Sequence, residues 1–170
     1  LEQKLVIKRN GKYYSTHTNL PICHISYYEA LAFCKWKKVR LPMEKEYEYL
    51  ATNRGTTKYP WGNDSNLSKY SNINYQNYII PVNEIKEGNN KLKVSQLIGN
   101  VWEWCQEPIY PYDNFSIDPV YREMSYPFFG HKRICKGGCW AVPDYLIHPQ
   151  YRNAQPPTCR EQFIGFRVCI

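Results

Sequence analysis

The most informative stretch of the chain is Gly99-Asn-Val-Trp-Glu-Trp-Cys-Gln-Glu-Pro-Ile-Tyr-Pro-Tyr-Asp-Asn-Phe115. It holds two Trp, two Tyr, one Phe and three acidic residues within seventeen positions. A core strand rarely carries so many polar side chains, and a solvated loop rarely carries so many aromatic ones. The mixture therefore predicts a buried turn that ends in a shaped, partly polar wall of a pocket. Two further dense stretches follow, Lys136-Gly-Gly-Cys-Trp140 and Tyr151-Arg-Asn-Ala-Gln-Pro-Pro-Thr-Cys-Arg160.

The composition is that of one basic domain. The chain has 170 residues, of which 43% are hydrophobic and 16% aromatic, so we expect a core built more on rings than on aliphatic chains. Lys and Arg outnumber Asp and Glu by 22 to 15, which gives a net charge of +7. The basic residues never form a run of five. Scattered charge is typical of a solvated face, so we expect no nucleic-acid partner.

The number of cysteines and the length of the apolar runs indicate where in the cell the protein is located. Seven cysteines, an odd number with no Cys-x-x-Cys pair, argue against a disulfide framework and against a zinc ribbon. Reduced thiols predict a cytoplasmic location. No apolar run approaches the ~18 residues that a membrane span needs, and the first residues do not resemble a signal peptide. Because the chain begins with Leu1, we expect it to be part of a longer product.

Two helices are predicted in the first third of the chain. Ser26 and Glu29 have the spacing of a capping box, which favours a helix over Tyr27 to Lys37. A second helix is expected from Met43 to Ala51, after the break at Arg40-Leu-Pro42.

Little other regular structure is expected. From Thr52 to Val94 the sequence lacks a period and is rich in turn residues, which predicts long ordered loops. Asn10-Gly11 predicts a hairpin turn. Short strands are predicted at Leu1 to Ile7, Lys12 to Ser15, Arg133 to Lys136, Tyr151 to Arg152 and Gly165 to Cys169.

Metal sites are weakly indicated. His17, His24, His131 and His148 are isolated in sequence, so the chain lacks a convincing transition-metal site. In Gly99-Asn-Val-Trp-Glu103, backbone carbonyls and the Glu103 carboxylate suit a hard cation such as Ca²⁺. The alternative, that Glu103 accepts backbone N–H bonds in a tight turn, stays open.

Several side chains have the chemistry of a substrate site. Arg152, Asn153 and Arg160 can clamp a carboxylate, or the arginines can pair structurally with Glu161 or Glu107. The phenol of Tyr110 can donate a proton, although most Tyr residues only pack. Cys139 is either a nucleophile or a small buried residue, and the sequence favours the second interpretation. Arg167 looks structural.

Six motifs stand in a characteristic order. They are His24-Ile-Ser-Tyr-Tyr-Glu-Ala30, Arg40-Leu-Pro-Met-Glu44, Tyr59-Pro-Trp-Gly62, Gly99-Asn-Val-Trp-Glu-Trp104, Lys136-Gly-Gly-Cys-Trp140 and Gly165-Phe-Arg167. Over residues 21–170 the chain thereby resembles the formylglycine-generating-enzyme (sulfatase-modifying factor) family. The resemblance implies one domain over residues 1–170. Its expected class is α+β, a compact variant of the C-type lectin fold with two helices and a short twisted antiparallel sheet.

The family has two main branches. Its copper-dependent oxidases, which make formylglycine, use a pair of cysteines a few residues after a Gly-Gly-Ser motif. Here Cys139 replaces that Ser, and Trp140 to Gln150 contains no Cys, which argues against oxidase activity. The other branch comprises the iron-dependent sulfoxide synthases of ergothioneine, ovothiol and selenoneine synthesis. The chain is more similar to these through Pro21-Ile-Cys-His-Ile-Ser-Tyr-Tyr-Glu-Ala30, Pro111-Tyr-Asp-Asn-Phe115, Tyr121-Arg-Glu-Met-Ser125, Pro127-Phe-Phe-Gly130 and Ile147-His-Pro-Gln-Tyr-Arg-Asn153.

This second resemblance implies a divided active site. In those enzymes an N-terminal four-helix domain carries Fe(II) through a His-x-x-x-His-x-Glu helix and another His. This chain lacks that helix and supplies no iron ligands, so we expect an iron-bearing domain or subunit as partner. The lectin-like domain closes the site over the substrates. These are a histidine-derived imidazole, a thiol of the cysteine or γ-glutamylcysteine type, and O₂.

The resemblance also implies roles for single residues. Tyr110 matches the proton-donating Tyr of the family, and Asn153 matches the Asn of Tyr-Arg-Asn, near the histidine-derived substrate. Gln155 and Arg160 fall where polar groups meet the carboxylate of the thiol substrate, and Gln155 replaces an acidic residue of some members. Gly99, Val101 and Glu103 match a calcium site of the formylglycine enzymes, which suggests a structural Ca²⁺. Arg152 and Trp140 complete the substrate-binding candidates.

A rival hypothesis belongs to another class of protein. The C-type lectin fold also serves non-catalytic ligand-binding modules. Such a module would bind a ligand without turnover, and no iron-bearing domain would accompany it.

Overall fold

The computed structural model describes residues 6–9, 11–15 and 19–170. Short 3₁₀ turns lie at Lys86–Gly88, Arg122–Met124, Tyr126–Phe128 and Asp144–Leu146. In chain order, the helices and strands are β1 (Val6–Arg9), β2 (Lys12–Ser15), α1 (Tyr27–Lys37), α2 (Glu44–Ala51), α3 (Leu67–Tyr70), β3 (Trp102–Pro108), β4 (Arg133–Lys136), β5 (Asn153–Gln155) and β6 (Ile164–Gly165).

Helix α1 has the predicted bounds because its ends are encoded locally. The Ser26 hydroxyl accepts the Glu29 N–H, and the Glu29 carboxylate accepts the Ser26 N–H at 2.8 Å. This is the predicted capping box, which satisfies N–H groups that have no partner within the helix. The helix ends where Lys38 adopts a left-handed conformation with φ 56°. It buries Tyr27, Ala30 and Cys34.

Helix α2 begins at Glu44, one residue later than predicted, and ends at Ala51 as predicted. Met43 precedes it without a side-chain oxygen to cap its N–H groups. The Glu46 carboxylate instead accepts the Met43 N–H at 2.9 Å and binds both terminal nitrogens of Arg40. Tyr47 and Ala51 are fully buried and hold the helix against the sheet.

The main sheet has four strands in the order β5-β4-β3-β6. The pairs β3–β4 and β4–β5 are antiparallel, but β3–β6 is parallel, so the sheet is mixed rather than wholly antiparallel. Strand β4 has its predicted bounds. Strand β5 follows the predicted Tyr151–Arg152 and shares no residue with it, and β6 shares only Gly165 with the predicted Gly165–Cys169. The hairpin of β1 and β2 is confirmed, while Leu1–Leu5 and Asn10 lie outside the described residues.

The prediction of a buried turn over residues 99–115 was wrong for its central part. Residues 102–108 form β3, a central strand of the sheet. The chain bends before it at Gly99 and Asn100, with φ of 82° and 68°, and turns after it at Asp113 and Asn114. The Glu103 and Glu107 carboxylates are tolerated there because Arg167 and the Glu44 N–H bind them, which a strand pattern alone does not reveal. The register with β4 also shifts between Trp104 and Pro108, around Gln106 and Glu107.

The sheet separates the two helices. Trp102, Trp104 and Cys135 pack in one cluster with Tyr27 and Ala30 of α1. The alternate side chains of β3 and β4 face α2, where Cys105 and Ile134 pack on Tyr47 and Ala51. The charged residues Glu103 and Lys136 lie on this same face, two positions from Cys105 and Ile134, and are also buried.

The segment from Thr52 to Val94 is irregular, as predicted. Its only described elements are the single turn of α3 and the 3₁₀ turn at Lys86–Gly88. Three rings stabilise it, because Trp61 stacks between Tyr59 and Tyr70 at 5.1 Å from each ring centroid. Within the described residues, no helix is both long and apolar enough to cross a bilayer.

Candidate functional site

Arg152 lies at the start of α2 and is held by a buried carboxylate. Its Nε and Nη2 donate to the two carboxylate oxygens of Glu44 at 2.8 and 3.0 Å. Only 17% of the Arg152 side chain is exposed. Structural pairing of this arginine was one of the predicted alternatives, but the partner is Glu44 rather than Glu161 or Glu107. The guanidinium is therefore not free to clamp a substrate carboxylate.

The third side of the Arg152 fork reaches the segment that follows β3. Nη1 donates to the backbone carbonyl of Tyr110 at 2.9 Å. The guanidinium also lies over the ring of Tyr112, at 4.3 Å from its centroid. Burial raises the pKa of the Tyr112 phenol, and the carboxylate of Glu44 raises it further. Tyr112 is thus a neutral packing partner at neutral pH.

The Tyr110 side chain is 56% exposed and projects from this anchored backbone. In the described part of the chain, no hydrogen bond holds its hydroxyl. An added Cβ at Gly130 would lie 3.7 Å from that hydroxyl, so the phenol lies over this glycine. An accessible phenol on a fixed backbone is compatible with the predicted proton donor.

Asn153 and Gln155 occupy the edge strand β5, directly after Arg152. The Gln155 side-chain amide donates to the Asn153 side-chain oxygen at 3.3 Å. Both residues are partly exposed. Arg152 therefore connects two predicted site residues. Its side chain binds the backbone of Tyr110, the predicted proton donor, and its peptide bond leads to Asn153, the predicted imidazole-binding residue.

Arg160 lies at the other helix, at the start of α1. Its Nη2 donates to Glu29 at 2.7 Å, and its side chain is 61% exposed. It lines an open groove of about 400 Å³. No hydrogen bond among the described residues joins it to Asn153 or Gln155. The groove is lined by Ser26, Tyr28, Glu29, Ala32, Thr158 and Arg160.

Trp140 belongs to an aromatic cluster. Its ring contacts those of Tyr75, Tyr78 and Phe163, at centroid distances of 6.0, 5.0 and 5.1 Å. Its indole Nε1 is buried and has no hydrogen-bond partner among the described residues. The cluster also includes His24, whose ring lies 4.8 Å from that of Phe163. The Nδ1 of His24 lies 3.1 Å from the Arg160 carbonyl oxygen.

The predicted calcium ligands do not fit a calcium ion in this arrangement. Nε and Nη2 of Arg167 bind the two carboxylate oxygens of Glu103, and Nη2 also donates to the carbonyls of Ser95 and Gln96. The Gly99 carbonyl accepts the Val101 N–H at 2.9 Å. Burial alone would lower the pKa of Arg167, but the Glu103 carboxylate raises it above its ordinary value. The guanidinium of Arg167, whose side chain is 21% exposed, thus already occupies the carboxylate, in keeping with the predicted structural role of Arg167.

Cys139 is a buried residue, as the sequence favoured. Burial raises the pKa of its thiol, which lowers the thiolate fraction that a nucleophile needs. The two preceding glycines serve packing rather than ligand approach. A Cβ at Gly137 would lie 2.5 Å from the Tyr47 hydroxyl, and one at Gly138 would overlap Ile147.

Sequence reasoning missed a buried charge network beside Arg152. Lys136 is fully buried, and its Nζ lies 2.7 Å from Glu48 and 3.6 Å from Glu44. No partner was assigned to the acids of α2 from the sequence. Their spacing, with Glu44 and Glu48 four residues apart on one helix face, was the available signal for a shared basic partner.

The comparisons with known proteins agree with this fold. Residues 4–170 match the family model described as sulfatase-modifying factor enzyme 1-like domain. The chain therefore belongs to this family. A solved structure of PvdO from Pseudomonas aeruginosa superposes with a TM-score of 0.70 at 22% identity, over 98% of this chain and 71% of that one.

Two groups of curated relatives are similar in sequence. Hercynine oxygenase of Mycobacterium tuberculosis is 36% identical over 154 residues, which cover 87% of this chain and 36% of the relative. Formylglycine-generating enzyme of Streptomyces coelicolor is 28% identical over 88% of this chain and 52% of the relative. The chain thus spans about a third to a half of the length of these relatives.

The described residues do not by themselves form an iron site. They bring together no group of three or more His, Cys, Asp or Glu side chains able to hold a metal ion. That the iron ligands lie outside this chain stays a prediction.

Proposed function

We propose that this chain is the substrate-binding and catalytic C-terminal domain of a non-haem iron(II), O₂-dependent sulfoxide synthase. The reaction joins a cysteine-type thiol to a histidine-derived imidazole. A thiol, an imidazole C–H and O₂ give a sulfoxide with a new C–S bond and one water. The S–H and C–H bonds break, and the four electrons removed reduce O₂. The product class is that of ergothioneine, ovothiol and selenoneine synthesis.

One observation carries the proposal. Arg152 bonds the Tyr110 carbonyl while its own backbone leads into Asn153. The residue expected to donate a proton and the residue expected to meet the imidazole are thereby tied to one guanidinium. The 36% identity to a hercynine oxygenase supports the same reaction class, as that relative's name concerns hercynine.

The residues of this chain have separate tasks in the proposal. The exposed Tyr110 phenol holds a proton at its hydroxyl and would donate it during turnover. The side-chain amide of Asn153 orients the imidazole substrate by hydrogen bonds, and the amide of Gln155 meets the carboxylate of the thiol substrate. Arg160, bound to Glu29 by one nitrogen and otherwise exposed, offers its remaining donors to the carboxylate of the thiol substrate.

Iron enters from outside the described residues. A domain or subunit that this chain contacts would hold Fe(II), and the bound iron would supply the activation of O₂. The lectin-like domain would close over that centre and exclude water from it. Calcium has no part in the proposal, because Arg167 occupies the Glu103 carboxylate.

The formylglycine oxidase hypothesis finds less support. Cys139 is buried and no other Cys lies between residues 140 and 150, so the expected thiol pair has no counterpart there. The binding-module hypothesis differs from the proposal in two observables, which are turnover and the presence of an iron-bearing domain.

The experiment uses the native polypeptide that contains this chain, purified without oxygen and loaded with Fe(II). Hercynine and either cysteine or γ-glutamylcysteine are added with O₂, and the products are identified by mass spectrometry. We expect a sulfoxide with a C–S bond, and the absence of any sulfoxide despite bound ligand would favour the binding module. Tyr110→Phe should reduce the ratio of sulfoxide to oxidised thiol by about tenfold or more, through loss of the acid. Tyr145→Phe, which removes the hydroxyl of a tyrosine that is 81% exposed, is the matched control.

A further inference from the structure

The segment that carries Tyr110 is fixed at both ends by α2. Before it, the Glu107 carboxylate accepts the Glu44 N–H at 2.7 Å. After it, Arg152 bridges the Glu44 carboxylate and the Tyr110 carbonyl. These contacts close a ring that runs from Glu107 through Glu44 and Arg152 to Tyr110. The chain between Glu107 and Tyr110 therefore cannot shift without breaking a charge-assisted bond.

Burial makes this ring stiff. Glu44 is only 7% exposed, and its carboxylate faces the fully buried Lys136 as well as Arg152. Lys136 is held in turn by Glu48 at 2.7 Å. The Tyr112 ring covers the guanidinium of Arg152. A planar guanidinium with two bonds to one carboxylate has a single orientation, so its third donor points in a defined direction.

We infer that Glu44 is a positioning residue that sets the location of the Tyr110 phenol through Arg152. The inference rests on the proposed function, in which Tyr110 is the proton donor. Because no hydrogen bond among the described residues holds the Tyr110 hydroxyl, the phenol follows its backbone, and that backbone follows Arg152. Glu44 touches neither substrate nor reacting atoms and acts only through the arginine.

The same arrangement couples two parts of the site. Arg152 directly precedes Asn153 in β5, so a change in the Glu44–Arg152 pair displaces the imidazole-binding amide and the phenol together. A displacement of about 1 Å between reacting groups can cost about a hundredfold in rate. The choice between sulfoxide formation and simple thiol oxidation is therefore expected to depend on Glu44.

The test compares matched glutamates of one helix in the native, Fe(II)-loaded polypeptide. Glu44→Gln removes the charge that orients Arg152. Glu46→Gln is the control, since Glu46 also binds an arginine, Arg40, but has no link to Tyr110. We expect Glu44→Gln to lower the ratio of sulfoxide to oxidised thiol by about tenfold and Glu46→Gln to leave it unchanged. Arg152→Lys, which keeps the charge but loses the fork, should resemble Glu44→Gln.

After subtraction of the thiol that Fe(II) and O₂ oxidise without protein, the product ratio separates positioning from stability, because partial unfolding lowers both enzymatic products equally. If Tyr110→Phe changes the ratio while Glu44→Gln and Arg152→Lys keep the wild-type value, the inference fails and the proposed function stands. If the wild-type polypeptide forms no sulfoxide, the proposed function fails.

A second measurement does not need turnover. Fluorotyrosine placed at position 110 reports its surroundings by fluorine NMR, with or without iron. Glu44→Gln should shift or broaden that signal, and Glu46→Gln should not. An unchanged signal in Glu44→Gln would show that the phenol is held by something other than this pair.

Discussion

Helices α1 and α2 each bind an arginine at their first turn, but the two arginines differ in burial. Each has a glutamate in its first turn that binds an arginine from the segment 151–160. At α2 the pair is Glu44 with Arg152, which is bidentate and mostly buried. At α1 the pair is Glu29 with Arg160, which has one bond between side chains that are 45% and 61% exposed.

The difference shows which arginine can serve a ligand. The donors of a buried, bidentate guanidinium are already bonded to the protein. Releasing the guanidinium would leave the buried Glu44 carboxylate without its main partner. An exposed guanidinium with one bond exchanges that partner for a substrate carboxylate at small cost. We therefore propose that Arg152 fixes the segment at Tyr110, and that Arg160 is the arginine available to a ligand.

The largest expected effect contrasts these two arginines directly. Arg152→Met should lower the free energy of unfolding by about 3 to 5 kcal/mol, because it leaves the buried Glu44 without its main partner. Arg160→Met should lower it by at most about 1 kcal/mol, as for other surface pairs. Urea unfolding of the native polypeptide, followed by Trp fluorescence, measures both. Equal losses of unfolding free energy in the two variants would remove the distinction between a structural arginine and one available to a ligand.

The fold was predictable where its signals are local. The bounds of α1 followed from Ser26 and Glu29, which lie within one turn of each other. Strand β3 was missed because its polar residues are stabilised by partners far along the chain, such as Arg167 for Glu103. The parallel pairing of β3 with β6 has the same origin, since no local pattern specifies which distant strand is a neighbour.

The candidate site was predictable in its residue types and not in its pairings. Arg152 and Arg160 were equivalent in sequence, and only the packing of α2 on the sheet distinguishes them. Glu44 and Lys136 were not singled out, because buried charges cannot be recognised before the fold brings them together. The resemblance supplied Tyr110 and Asn153, and their roles stay predictions that the product assay above addresses.

A smaller effect compares the caps of the two helices. Ser26→Ala should cost about 1 kcal/mol, because the hydroxyl that accepts the Glu29 N–H is lost. Met43 is the residue before α2, has an extended backbone with φ −74° and ψ 156°, and offers no oxygen. Met43→Ser should therefore stabilise the protein by up to about 0.5 kcal/mol, since the lost apolar contact offsets part of the new cap. Thermal unfolding of both variants beside the wild type measures the difference. A loss of stability in Met43→Ser would mean that the contacts of Met43 outweigh a cap.

The smallest expected effect is the pH dependence of the stability that Glu29, the partner of Arg160, contributes. The Ser26 backbone N–H, then the Ser26 hydroxyl, and to a lesser extent Arg160 hold the pKa of Glu29 below its ordinary value of 4.5. A carboxyl group whose pKa is lower in the folded state stabilises the fold above its ordinary pKa, and this contribution disappears as the pH falls through the folded-state pKa. The stability difference between wild type and Glu29→Gln should therefore be largest near neutral pH and vanish in acid. Because the cap contributes more than Arg160 does, most of this pH dependence should remain in an Arg160→Met background. Its disappearance there would show that the ion pair governs Glu29, so that Arg160 would be held more firmly than an open binding group can be.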